Sequence, residues 1–134
     1  MPQLQTVVAN PSAGVGSLRF TQEAHAMQRA VIRLFDLWGL NESQAVVLLG
    51  GIAIRTYQRW KRGEYGRVNI DLQERLSLLM GIHKALRLLF KEPRRGYEWV
   101  QRPNTVFAGR SALDLMLDGR LPNLMRVRQY LDAG

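Results

Sequence analysis

Arg55, Thr56 and Arg59 fall at three-and-four spacing in one short polar run, the spacing that brings side chains onto a single helix face. Guanidinium groups so placed can bond guanine edges or phosphates in a fixed fork, with a threonine making shorter contacts beside them. Gln58 flanks that face with an amide suited to adenine or to a phosphate oxygen. Lys61, Arg62 and Arg67 follow near the end of the run and suit sequence-independent phosphate contacts, which set register and make affinity fall with salt. Tyr57 and Trp60, on the opposite side, are expected to turn inward. Read without a ligand, the same run is a solvated basic face of an all-α domain.

Other chemistry finds little support. The chain has no cysteine, which excludes a disulfide framework, a zinc finger and a thiol nucleophile. Its two histidines, His25 and His83, lie far apart without paired-ligand spacing, so no metal site is expected. His83 stands on an apolar stripe and reads as a core or interface histidine with one hydrogen bond satisfied. Asp114 and Asp118 have the four-residue spacing of a carboxylate pair on one helix face, yet they bracket a capped turn and are read as tuning charge. There is no phosphate-cradling glycine loop and no Ser-His-Asp set, so the expectation is a non-enzyme with no cofactor and no small-molecule substrate.

The elements that must carry the basic face follow from periodicity. At 134 residues, with 46% apolar and 22% charged residues, the chain suits one domain or two small ones sharing a core. A formal net charge of +8 and a pI near 10.8 point to a polyanionic partner, nucleic acid first. No apolar run approaches a membrane span and no signal-like start is seen, so a cytoplasmic protein with no membrane partner is expected. Residues 1–19 carry prolines and glycines without period and are expected to form a flexible arm. Thr21 is a cap candidate for a first helix with Phe20, Ala24, Met27, Val31, Leu34 and Trp38 on one face, closed at Gly39.

Asn41, with Gln44 three positions on, predicts a capping box for a short second helix broken by Gly50-Gly51. A third helix then runs to Gly63, and a loop extends to Ile70. Asp71 is expected to cap a long helix lined by Leu72, Leu76, Leu79, His83, Leu86 and Phe90, with Leu78, Ile82 and Leu89 widening the stripe toward deep burial. Pro93 should end it, with a further short helix at Tyr97 to Val100 and a turn at Pro103-Asn104. Ser111 caps the next helix, which stops at Gly119, and Pro122 enters a last one with Leu124, Val127 and Leu131 inward. The predicted fold is all-α, with a helix-turn-helix domain over 20–70 packed with a small helical C-terminal domain over 71–134.

Two short helices joined by a glycine turn, Asn41 to Gly63, are the arrangement that lays a second helix in the DNA major groove. The segment resembles the helix-turn-helix of Xre-like and Cro-like repressors, with its Gly-apolar turn and its second helix ending in Trp-x-x-Gly, here Trp60 to Gly63. It departs at Ala53, where such families often carry a Ser or Thr cap. Further on, Trp99, Pro103-Asn104, Phe107, Gly109-Arg110, Leu113-Asp114, Gly119 and the closing Val127, Tyr130 and Leu131 resemble the toxin-binding domain of the Xre/MbcA/ParS antitoxin family. Ala112 departs from the proline that many members carry at that helix start.

The resemblance implies an antitoxin that neutralises a RES-domain toxin acting on NAD and binds operator DNA to repress its own operon. It implies occlusion of the toxin's active site by the C-terminal portion, carried over here to Arg126, Arg128, Tyr130, Leu131, Asp132, Ala133 and Gly134. Trp99 and Phe107 read first as core, and Asn104 and Gly109 as turn geometry, beneath that surface. A homodimer on a palindromic operator is expected, with the long helix from Asp71 to Phe90 as the dimer element. The alternative is a plain regulator whose C-terminal domain serves dimerisation or another protein.

Overall fold

The computed structural model describes residues 21–134, so the expected arm over 1–19 and Phe20 lie outside the described residues. Thr21 is already helical and is not a cap; the first helix, α1, continues to residue 37. It buries Ala24, Gln28, Val31, Leu34, Phe35 and Trp38 along one side and closes at Gly39. Next comes α2, Glu42–Leu48, held by the expected capping box: Asn41 Oδ1 accepts from Gln44 N at 2.8 Å and Gln44 Oε1 from Asn41 N at 3.0 Å. Gly50 and Gly51, both at positive φ, turn the chain into α3, Ile54–Lys61.

The 20-residue α4, Ile70–Leu89, is capped by Asn69, whose side chain accepts from Leu72 N at 2.8 Å; Asp71 is already helical, in the first turn, and instead accepts from Arg75. The difference is one of geometry, because the capping side chain must belong to the last non-helical residue. Pro93 does not merely end α4. It opens α5, Pro93–Gln101, at a first-turn position where the missing N–H has no helical partner to lose, and α5 is accordingly longer than the expected Tyr97 to Val100. A 3₁₀ turn, Thr105–Phe107, leads to α6, Ala112–Met116, capped by Ser111, and then to α7, Leu121–Ala133. Among the described residues there is no strand, only an antiparallel bridge between Pro103 and Ser111.

One hydrophobic core runs through both halves. Phe35, Trp38, Tyr57 and Trp60 fill the helix-turn-helix side; Leu76, Leu79, Ile82 and Leu86 of α4 continue it; Val100, Phe107, Met116, Leu124 and Val127 close it at the other end. Truncating any of the large aromatics would cost about 3–5 kcal/mol by cavity formation. α7 lies along α4, and the Arg128 guanidinium of α7 lies over Gly81, in the space that a Cβ there would occupy. At the other end of α4, Arg75 is 7% exposed, with its Nε 3.2 Å from Asp71 Oδ2 and its Nη1 donating at 3.5 Å to the Leu48 carbonyl at the end of α2. α4 is thus bonded to the helix-turn-helix at one end and packed against α7 at the other.

Candidate nucleic-acid and partner interfaces

In α3, Tyr57 and Trp60 are buried and anchor the helix, leaving Arg55, Gln58, Arg59 and Lys61 exposed and Thr56 half-buried. The structure divides the basic residues further. Glu42, on α2, accepts from Lys61 Nζ at 3.0 Å and from Gln58 Nε2 at 3.1 Å, and these two bonds hold its carboxyl below the usual carboxylate range. Lys61 also lies 5.4 Å from the centre of the Tyr57 ring. Arg62 pairs with Glu64 at 2.9 Å. Arg55, Arg59 and Arg67 have no hydrogen bond or ion pair among the described residues, so their guanidinium groups are the ones available without first breaking a contact. No side chain caps the start of α3 at Ala53.

Arg67 sits in the loop after α3, and that loop is clasped to α1. Gln28, fully buried, donates through Nε2 to the Tyr65 carbonyl at 3.0 Å, and Arg29 Nε donates to the Tyr65 hydroxyl at 3.3 Å. His25 packs on the Tyr65 ring in a tilted arrangement, 5.3 Å between centres, and its Nε2 lies 3.3 Å from the Gly66 carbonyl. Sequence reasoning missed this clasp. Its signal was Gln28 itself, a polar residue four positions after Ala24 and seven before Phe35, inside the apolar stripe of α1.

The C-terminal module is organised by the stretch 103–111. Asn104 Oδ1 accepts from Val106 N at 3.0 Å, its carbonyl accepts from Gly109 N at 2.9 Å, and its own N–H donates to the Arg110 carbonyl at 3.0 Å. That closed turn, with Ala108 and Gly109 at positive φ, drives Phe107 inward and Arg110 sideways. Arg110 then makes a two-pronged bond to Asp118, both contacts at 3.1 Å, and donates to the backbone carbonyl of Asp114 at 2.7 Å, so Arg110 and the Asp118 carboxylate brace α6 while the Asp114 side chain takes no part. The Arg110 contact holds Asp118 below its ordinary carboxylate range. Leu113 is buried.

Phe107 is the hinge of an aromatic triad. Tyr130 stacks on Trp99 at 6.1 Å and 7°, and both meet the Phe107 ring edge-on, at 5.6 and 6.4 Å. Arg126 lies over Phe107 at 5.4 Å and donates to the Val106 carbonyl at 3.1 Å, while Arg128 pairs with Asp132 at 2.9 Å. Of the residues expected to meet a toxin, Arg126, Tyr130, Asp132, Ala133 and Gly134 are exposed and Arg128 is half-buried. Leu131 is 4% exposed and fixes α7 to the core, forming the floor of a groove of ≈ 420 Å³ walled by Leu89, Phe90, Trp99 and Tyr130. His83 Nδ1 is buried without a hydrogen-bond partner among the described residues; burial, and then Arg87, hold the imidazole below its ordinary pKa. Among the described residues no cluster suits a metal ion and no helix is long and apolar enough to cross a membrane.

These two surfaces define a helix-turn-helix joined to a helical partner-binding module. Residues 18–81 match the family model of the antitoxin Xre-like helix-turn-helix domain, and residues 85–133 match that of the antitoxin Xre/MbcA/ParS C-terminal toxin-binding domain. The chain belongs to the Xre/MbcA/ParS antitoxin family: it is an antitoxin of a toxin–antitoxin system, with a toxin as partner, and not an enzyme. A relative in Sinorhizobium fredii (strain NBRC 101917 / NGR234), the uncharacterized protein y4oB, is 45% identical over 104 residues, covering 78% of this chain and 80% of its own. The fold is shared with a chain in the crystal structure of the M. tuberculosis MbcT–MbcA toxin–antitoxin complex, at 21% identity and a TM-score of 0.55 over 81% of this chain and 90% of that one.

Proposed function

We propose that this antitoxin neutralises a RES-domain toxin acting on NAD by covering its active-site cleft with the C-terminal module, and that as a homodimer it represses its own operon through α3. The carrying observation is the separation of two surfaces of opposite character on one rigid core. Arg55, Arg59 and Arg67 project unpaired from one end, as phosphate and base contacts require. Tyr130 and the groove beside it offer rigid aromatic area at the other, as a protein interface requires. Thr56, Gln58, Lys61 and Arg62 serve as secondary DNA contacts, released from Glu42 and Glu64 as phosphates approach. Arg126, Tyr130, Asp132, Ala133 and Gly134 meet the toxin, with Arg128 and Leu131 shaping the surface beneath them.

The test is co-purification of the tagged antitoxin from its native cell, with bound proteins identified by mass spectrometry and bound DNA sequenced. The expected result is a stoichiometric RES-domain protein, whose NAD consumption the antitoxin suppresses, together with the antitoxin's own promoter. DNA without a protein partner would instead favour a plain regulator whose C-terminal module only makes dimers.

A further inference from the structure

The sequence pattern of α4 predicts Leu89 inside the core, yet the structure turns the end of that helix outward: Leu88 is 78% and Leu89 45% exposed. Both belong to the stretch 85–133 that matches the toxin-binding domain. Leu89 borders two grooves at once, the one floored by Leu131 beneath Trp99 and Tyr130, and a second of ≈ 290 Å³ bounded by Gly81, Lys84, Leu88 and Arg128. Large apolar side chains left in water on a soluble protein mark an interaction site when they stand together along a groove. Lys84 and Arg87 lie on the same turns of α4 as Leu88 and are exposed, with no ion pair among the described residues.

We infer that the last turn of α4 is a second half of the toxin-docking surface: Leu88 and Leu89, with Tyr130 across the groove, form an apolar ridge fringed by Lys84 and Arg87 that seats in an apolar, acid-rimmed socket of the toxin. This inference rests on the antitoxin reading above and gives it a partner chemistry. The ridge continues the exposed face of Tyr130 without a break, because Leu89 and Tyr130 line the same groove. A second copy of the chain is a poorer occupant. Two copies meeting there would bring together chains that each carry a formal net charge of +8, and the neighbouring Asp132 is already engaged by Arg128. An acidic rim on the partner satisfies Lys84 and Arg87 instead.

The experiment measures binding of the full-length chain to an inactivated form of the toxin encoded by the adjacent gene, by calorimetry, for wild type and for the double substitution Leu88→Asp with Leu89→Asp. The double variant should bind on the order of a hundredfold more weakly, the loss typical of central interface anchors. Its thermal midpoint and operator affinity should stay at wild-type values, since both side chains are exposed. Lys84→Glu should cost about tenfold at low salt and less at high salt. Toxin affinity unchanged in the double variant, with wild type binding tightly, would overturn the inference and leave the antitoxin reading standing. Conversion of a dimer to a monomer by the double variant, with toxin affinity intact, would overturn it in favour of self-association. Failure of wild type itself to bind the toxin would remove both.

Discussion

The two surfaces of this antitoxin are built by opposite means. At the helix-turn-helix, the proposed DNA contacts rest on what is left unsatisfied: Arg55, Arg59 and Arg67 are exposed without an ion pair while their neighbours Lys61 and Arg62 are engaged by Glu42 and Glu64. At the far module the cations nearest the aromatic triad are occupied, Arg110 by Asp118, Arg126 by the Val106 carbonyl and Phe107, Arg128 by Asp132, and apolar and aromatic side chains stand exposed beside them. A polyanion is met by mobile, solvated charge that gives up little on binding. A protein partner is met by rigid area whose position is already fixed, which lowers the entropy lost on docking.

The strongest challenge to this division is Arg55→Ala combined with Arg59→Ala. Operator affinity measured by fluorescence anisotropy should fall by two to four orders of magnitude, at about 1–3 kcal/mol per base-contacting arginine, while toxin affinity is unchanged; loss of both would mean the surfaces are not separate. Next in size, Phe107→Ala removes the hinge of the aromatic triad and should destabilise the chain by about 3–5 kcal/mol in urea denaturation. Toxin binding should weaken with it, because Trp99 and Tyr130 lose their common support.

A gentler test is Glu42→Gln, which releases Lys61. DNA affinity should rise severalfold and the salt dependence steepen by about one unit of slope; an unchanged slope would mean that Lys61 never reaches a phosphate. The smallest effect is expected from Ala53→Ser, which supplies the missing cap of α3. It should add about 1 kcal/mol of stability and leave the C-terminal surface untouched, as read by calorimetry against the toxin.

The all-α fold was legible wherever local rules decide structure. The capping box at Asn41 and Gln44, the Ser111 cap and the inward Tyr57 and Trp60 all follow from residue type and spacing. Reading failed where two local signals competed or where a distant contact decided. Asn69 and Asp71 are both good caps, and only the backbone selects between them. Pro93 stops one helix and starts the next, and the sequence emphasised the first role. Leu89 obeys the apolar period of α4 but lies at the edge of the core, where α7 ends beside it and, among the described residues, it stays 45% exposed. For the sites, the residue types were visible and their availability was not: that Lys61 is held and Arg59 free depends on Glu42, nineteen positions away from the lysine.

The turn between α2 and α3 has one more consequence, for the substitutions the chain will accept. Gly50 and Gly51 share nearly the same left-handed backbone, φ 88° and 83°, and by that measure each should admit asparagine, the residue that most readily replaces glycine there. Their surroundings separate them. A Cβ at position 51 meets nothing within 4 Å, whereas one at position 50 falls 2.7 Å from the Nε of the buried Arg75, whose guanidinium group ties α4 to α2. Position 51 is therefore free to drift among turn-forming residues over evolution, while position 50 stays glycine for as long as position 75 stays arginine, and the two should change only together.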